Sequence, residues 1–141
     1  MRNFNSSKVN DIVLNGLILV IQLFVGISML THGLPKLEML TANDKIEFMN
    51  FLGLGSVISL VLVVFAEVLC SVFIIVGFLT RFSTVPLMMT MLIAFFVRHG
   101  SDPYVVKELS LVYFFFYLTI FVLGSGKFSL DWLFSKKEAV Y

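Results

Sequence analysis

The chain has 141 residues, 59% of them apolar and 13% charged, and carries a net charge of +1. Globular domains average about half apolar and a quarter charged residues, so this composition describes an integral membrane protein. The near-neutral balance excludes nucleic acid and a polybasic surface anchor, and the single cysteine, Cys70, excludes an intramolecular disulfide, a CxxC redox pair and a thiolate metal cluster.

Met1 to Asn10 is polar and reads as a frayed terminus. The first apolar run, about 12–31, is long enough to cross roughly 30 Å of hydrocarbon. Thr31-His32-Gly33-Leu34-Pro35-Lys36 follows it and does not resemble a small-residue cleavage site, so the run is expected to stay as a transmembrane helix. Gly33 and Pro35 are expected to end it. Lys36 to Phe51 reads as a loop carrying a short interfacial helix, closed by Gly53 and Gly55.

The second span, 56–79, carries Glu67 near its centre. An acidic group at mid-span costs about 2.5–3.5 kcal/mol on insertion scales, which makes it a functional candidate by default. The third span, about 84–99, starts at a turn in which Ser83 or Thr84 can cap and Pro86 sits in the first turn. It is short for a bilayer, with Arg98 and His99 extending it at headgroup depth. The fourth, 105–123, begins near Lys107 and Glu108 and stops at Gly124-Ser125-Gly126; the tail after Leu133 is expected to be free.

The predicted fold is thus an all-α membrane protein, an antiparallel bundle of four transmembrane helices forming one domain over 1–141. Arg2, Lys8, Arg81, Lys127, Lys136 and Lys137 share one side of the membrane; Lys36, Lys45, Arg98 and Lys107 share the other. The bias favours both termini in the cytoplasm.

At 100° per residue, polar and small side chains coincide on one stripe of each helix. The stripes carry Asn15, Gln22, Gly26, Met29 and Gly33; Ser56, Val63, Glu67, Ser71 and Ile74, with Cys70 at the margin; Thr84, Met88, Met91, Phe95 and Arg98; Tyr113, Tyr117, Ile120 and Gly124. These faces are expected to look inward. Gln22 and either Tyr113 or Tyr117 are the expected hydrogen-bond partners of Glu67. His32, Lys36, Arg98, His99 and Glu108 form an outer rim, with Glu67 about 16 Å below it on a helix rising 1.5 Å per residue.

Gln22-Leu23-Phe24-Val25-Gly26-Ile27-Ser28-Met29-Leu30-Thr31-His32-Gly33-Leu34-Pro35-Lys36-Leu37 resembles the first-helix signature of the DoxX family. Ala66-Glu67, Gly77-Phe78-Leu79-Thr80-Arg81, Ala94 to His99, and Gly124-Ser125-Gly126-Lys127-Phe128-Ser129-Leu130-Asp131 resemble its later motifs, in the same order along most of the chain. The resemblance implies a small four-helix protein of the bacterial inner membrane. It also implies a place in quinone-linked oxidation, as in a thiosulfate:quinone oxidoreductase, or in membrane redox complexes that maintain thiol and oxidative-stress homeostasis. Where the family often has an arginine, this chain has Gln22, which fits a neutral, proton-bearing Glu67.

The favoured expectation is a redox-complex subunit that binds a quinone, or a small substrate, near Glu67. Glu67 and His32 are the catalytic candidates, and Gln22, His32, Glu67, Arg98, His99 and Tyr113 the binding candidates. A quinone needs a proton donor near each carbonyl and an apolar slot for its tail. Haem on His32 and His99 has no supporting spacing motif, and no metal ligand set is expected. Partners are the bilayer and other redox subunits or further copies of the chain. Two alternatives stay open: a non-catalytic scaffold or assembly protein, and a small proton-coupled transporter. Blander readings stand beside these. Glu67 can be a hydrogen-bonded carboxyl that fixes helix register, Arg98 and Glu108 an ion pair between helices three and four, and Cys70 a packing residue.

Overall fold

A computed structural model describes residues 9–42 and 45–138. The expected frayed segment, with Arg2 and Lys8, lies mostly outside these residues, as does Asp44 of the expected interfacial helix. Four helices are long and apolar enough to cross a membrane: α1 (Asp11–Thr41), α2 (Ser56–Val76), α3 (Thr80–Arg98) and α4 (Tyr104–Leu123). A shorter α5 (Leu130–Glu138) follows. α1 packs on α2, α2 on α3, α3 on α4, and α4 closes back on α1. The expected inward stripes hold most of the buried residues, with Asn15, Ser56, Val63, Met88 and Phe95 half-buried; Arg98, at the end of the third stripe, is instead exposed, because its charged head lies past the apolar length of the helix. Val25, Met29, Ile74, Leu87, Tyr117 and Ile120 form the apolar centre, while Phe24, Phe96, Val105, Phe115 and Val122 point outward, as lipid contact requires.

α1 does not stop at Pro35. It runs through the proline to Thr41, ten residues past the expected Thr31. An interior proline removes one backbone bond and crowds the preceding turn, costing about 3 kcal/mol or more, so contacts beyond it must hold the extension. One such contact is made by Lys36, described below. No interfacial helix follows among the described residues. Residues 45–55 have no regular structure, and Phe51 donates its amide to Ser59 Oγ (3.0 Å), which straps them to the start of α2.

α2 contains a π-helical turn over Phe65–Cys70, centred on Glu67. Such a turn inserts one extra residue into the helical ladder and is found disproportionately at functional sites. α2 ends at Gly77, whose φ of +67° is a left-handed conformation that glycine adopts without penalty.

α3 starts at Thr80, earlier than expected, and neither Ser83 nor Thr84 caps it: Thr84 Oγ1 donates to the Arg81 carbonyl within the helix. The cap comes from the tail. Asp131 accepts the amides of Leu79 (2.7 Å) and Thr80 (2.9 Å), and its own amide donates to the Gly77 carbonyl (2.8 Å). The tail expected to be free after Leu133 is helical to Glu138, as part of α5, and its remainder lies outside the described residues. Starting at Thr80 gives α3 19 residues, which removes the expected shortness. A second π turn, Ala94–Arg98, ends it.

Candidate functional site

Two residues of α1 bring the site together. Gly33 lets α1 approach α2 closely: a Cβ there would lie 3.0 Å from the Glu67 Cβ and 2.8 Å from a Val68 methyl. Lys36 is three residues on, on the same face of the helix. Helical side chains lean toward the N-terminus, so its stem runs back over Gly33. Its Nζ lies 2.6 Å from both carboxylate oxygens of Glu67. The Glu67 side chain is 4% exposed and that of Lys36 29%.

This corrects two expectations. Lys36 is not a rim residue standing above Glu67; it is the partner of Glu67. Gln22 stands where the family often has an arginine, and Lys36, further along α1, is the cation that the structure brings to the carboxylate. Gln22 and Tyr117 are both buried but do not bond Glu67; Gln22 Nε2 and Tyr117 Oη have no hydrogen-bond partner among the described residues. Tyr113 makes no hydrogen bond to Glu67 either, but lines a cavity beside it.

The ion pair sits between two cavities. The larger, about 370 Å³, is walled by Lys36, Glu67, Thr90, Arg98 and His99 and covered by Glu47, Phe48 and Met49 of the strap. The smaller, about 210 Å³, lies toward α4 and is walled by Lys36, Glu67, His32, His99, Ser110 and Tyr113. His32 and Tyr113 meet edge to face, with ring centroids 6.4 Å apart. Both cavities take Ala94 and His99 as walls, so the π turn of α3 and that of α2 border the same space.

A third cavity, about 310 Å³, adjoins the larger one and shares Phe48, Met49, Val63, Thr90 and Ile93 with it. Its remaining wall is apolar apart from Ser59, with Phe65, Pro86 and Met89 among its residues. A polar compartment thus stands beside a greasy slot between α2 and α3.

Of the sequence candidates, the structure gathers Glu67, His32, Arg98, His99 and Tyr113 around these cavities and leaves Gln22 deeper in the core. Arg98 and Glu108 form no ion pair; instead His99 Nδ1 meets Asp102 Oδ2 at 2.7 Å, within one turn of chain. Sequence reasoning missed the pairing of Lys36 with Glu67 and the strap residues Phe48 and Met49. The first had a signal, the i, i+3 relation of Gly33 to Lys36, obscured by Pro35. The second had none, because the strap has no periodicity.

The DoxX family model matches residues 17–100 of the chain. That stretch holds Gln22, His32, Lys36, Glu67, Arg98 and His99, and ends before Tyr113 and Asp131. No curated protein and no solved structure matches the chain.

Proposed function

The chain belongs to the DoxX family, and from that premise we propose that it is a multi-pass subunit of a membrane redox complex that binds a quinone beside Glu67. The observation that carries this reading is the junction of the two cavities that share Val63 and Thr90. A quinone is a polar ring on an apolar chain, and here a charged compartment of about 370 Å³ adjoins an apolar slot of about 310 Å³. The ring would lie against Lys36, Glu67 and Arg98, and the tail would leave between α2 and α3.

When bound, a quinone accepts two electrons and two protons, the electrons coming from a donor on another subunit. The chain's own residues supply the rest. The Lys36 ammonium, already aimed into the core, donates hydrogen bonds to a carbonyl oxygen. Glu67 holds Lys36 in that direction and can carry a proton on its carboxylate. His32, on the far side of the pair, gives a second titratable group reaching the outer end of the bundle. Burial among apolar walls keeps bulk water from the ring. In the sequence, Arg2, Lys8, Arg81, Lys127, Lys136 and Lys137 stand on one side against Lys36, Lys45, Arg98 and Lys107 on the other, a modest bias that supports termini on the cytoplasmic side.

The test is mass spectrometry of lipid extracts from gently purified protein, with thermal shift on adding a short-tailed quinone. Co-purifying quinone in the wild type, and its loss in Glu67→Gln, is the expected result. No quinone in the extract together with no thermal shift overturns the reading.

A further inference from the structure

We propose a second site, at the opposite end of the bundle, that holds the phosphate of an anionic phospholipid headgroup between Arg81 and Lys127. A cavity of about 620 Å³ opens there, walled by Thr80, Arg81, Ser125, Lys127, Asp131 and Trp132. The wall is built from the start of α3, the turn after α4 and the first turn of α5. It shares no residue with the cavities around Glu67.

Both cations are available. Arg81 makes one long bond, 3.3 Å to the Val122 carbonyl, and no carboxylate among the described residues lies within ion-pair distance of it. Lys127 is only loosely opposed by Asp11 at 3.7 Å, both of them exposed. The one acidic group on the wall, Asp131, has its two oxygens engaged by the amides of Leu79 and Thr80. That leaves the wall with a positive excess. An independent observation points to a ligand: Thr80 is fully buried, and its hydroxyl has no hydrogen-bond partner among the described residues. A buried hydroxyl without a partner is uncommon and costly, and a phosphate oxygen would satisfy it.

The rim identifies the source of the phosphate. Phe82 (77% exposed), Leu79 and Trp132 line the opening, and exposed Phe128 follows Lys127 in the chain, all near the ends of membrane-spanning helices. Lys136 lies over the Trp132 ring, its Nζ 5.2 Å from the centroid. Aromatic and apolar side chains interleaved with lysines mark the boundary of headgroup and acyl chain, the depth at which lipid phosphates lie. A free phosphate would have no use for such a rim.

The experiment reconstitutes the full chain in vesicles of mixed phosphatidylglycerol and phosphatidylcholine, extracts it mildly and counts each lipid retained. The wild type is expected to enrich phosphatidylglycerol. Each cation near an anionic headgroup is worth about fivefold in affinity, so Arg81→Gln with Lys127→Gln should lower the enrichment about 25-fold. Thr80→Val should lower it without lowering the melting temperature. Equal retention of both lipids by the wild type overturns the proposal, as does undiminished enrichment in the double variant. Protection against heat by inorganic phosphate, with no lipid preference, overturns it in favour of a free anion. Should the double variant not fold, full enrichment in both Lys127→Gln and Thr80→Val overturns it. Quinone content of the same extracts reports separately on Glu67.

Discussion

Lys36 reaches Glu67 across the interface of α1 and α2 and places one ammonium 2.6 Å from both carboxylate oxygens. The two partners are not equally buried: the carboxylate is enclosed, whereas the lysine retains contact with the outer cavity. A buried ion pair is weak evidence for net stability, because desolvation offsets the attraction. Its removal one partner at a time is nevertheless informative, because the two halves are stranded differently.

Lys36→Met leaves a buried carboxylate without a cation and should destabilise the bundle by about 3–5 kcal/mol. Glu67→Gln leaves a lysine that can swing toward the open side, so its cost should be clearly smaller. Thermal unfolding in detergent checks this; equal losses would show that the pair is not asymmetric.

The same comparison shows how far the sequence could be read. Glu67 was visible because a carboxylate in an apolar run is costly, and its stripe neighbours Ser71 and Ile74 proved to be buried with it. Tyr113, Tyr117 and Ile120 followed from the 3.6-residue period alone. Lys36 was misplaced because proline is a local stop signal, and here a tertiary contact overrides it. A stop at Pro35 would end α1 before Lys36 and hide the cation that faces Glu67. The clasp from Asp131 to Leu79 was beyond any local rule, since those residues are 52 positions apart.

Two glycines of α1 offer a paired test of helix approach. Gly33→Ala would drive a methyl to within 3.0 Å of the Glu67 Cβ and 3.1 Å of its backbone carbon. It should separate α1 from α2 and lower stability by about 1–3 kcal/mol. Gly16→Ala meets nothing within 4 Å. It should be neutral or raise stability by up to about 1 kcal/mol through helix propensity. Melting temperatures of both variants check the contrast.

Val63 stands between the polar compartment and the apolar slot. Val63→Trp fills both while leaving Lys36 and Glu67 in place, and co-purifying quinone should fall at least about tenfold, as for any ligand deprived of a preformed pocket. The measurement is quinone per protein by mass spectrometry. Unchanged content would place the ligand elsewhere.

Asp131→Ala removes the acceptor of two amides at the head of α3 and should cost about 1–2 kcal/mol, whereas Asp131→Asn keeps one oxygen and should cost less. Chemical unfolding in mixed micelles checks the order of the two.

That clasp also has a consequence for the order in which the chain is made. Asp131 closes the head of α3 from 51 residues downstream of Thr80, and the Lys127 amide, donating to Asn15 Oδ1 at 2.7 Å, fastens the start of α1 from 112 residues away. When the first three spans have been threaded into the bilayer by the synthesis machinery, neither bond can yet exist. Both fastenings are therefore closed by a segment made after all four of these spans. A chain cut between Leu123 and Lys127 would carry these four spans and neither fastening.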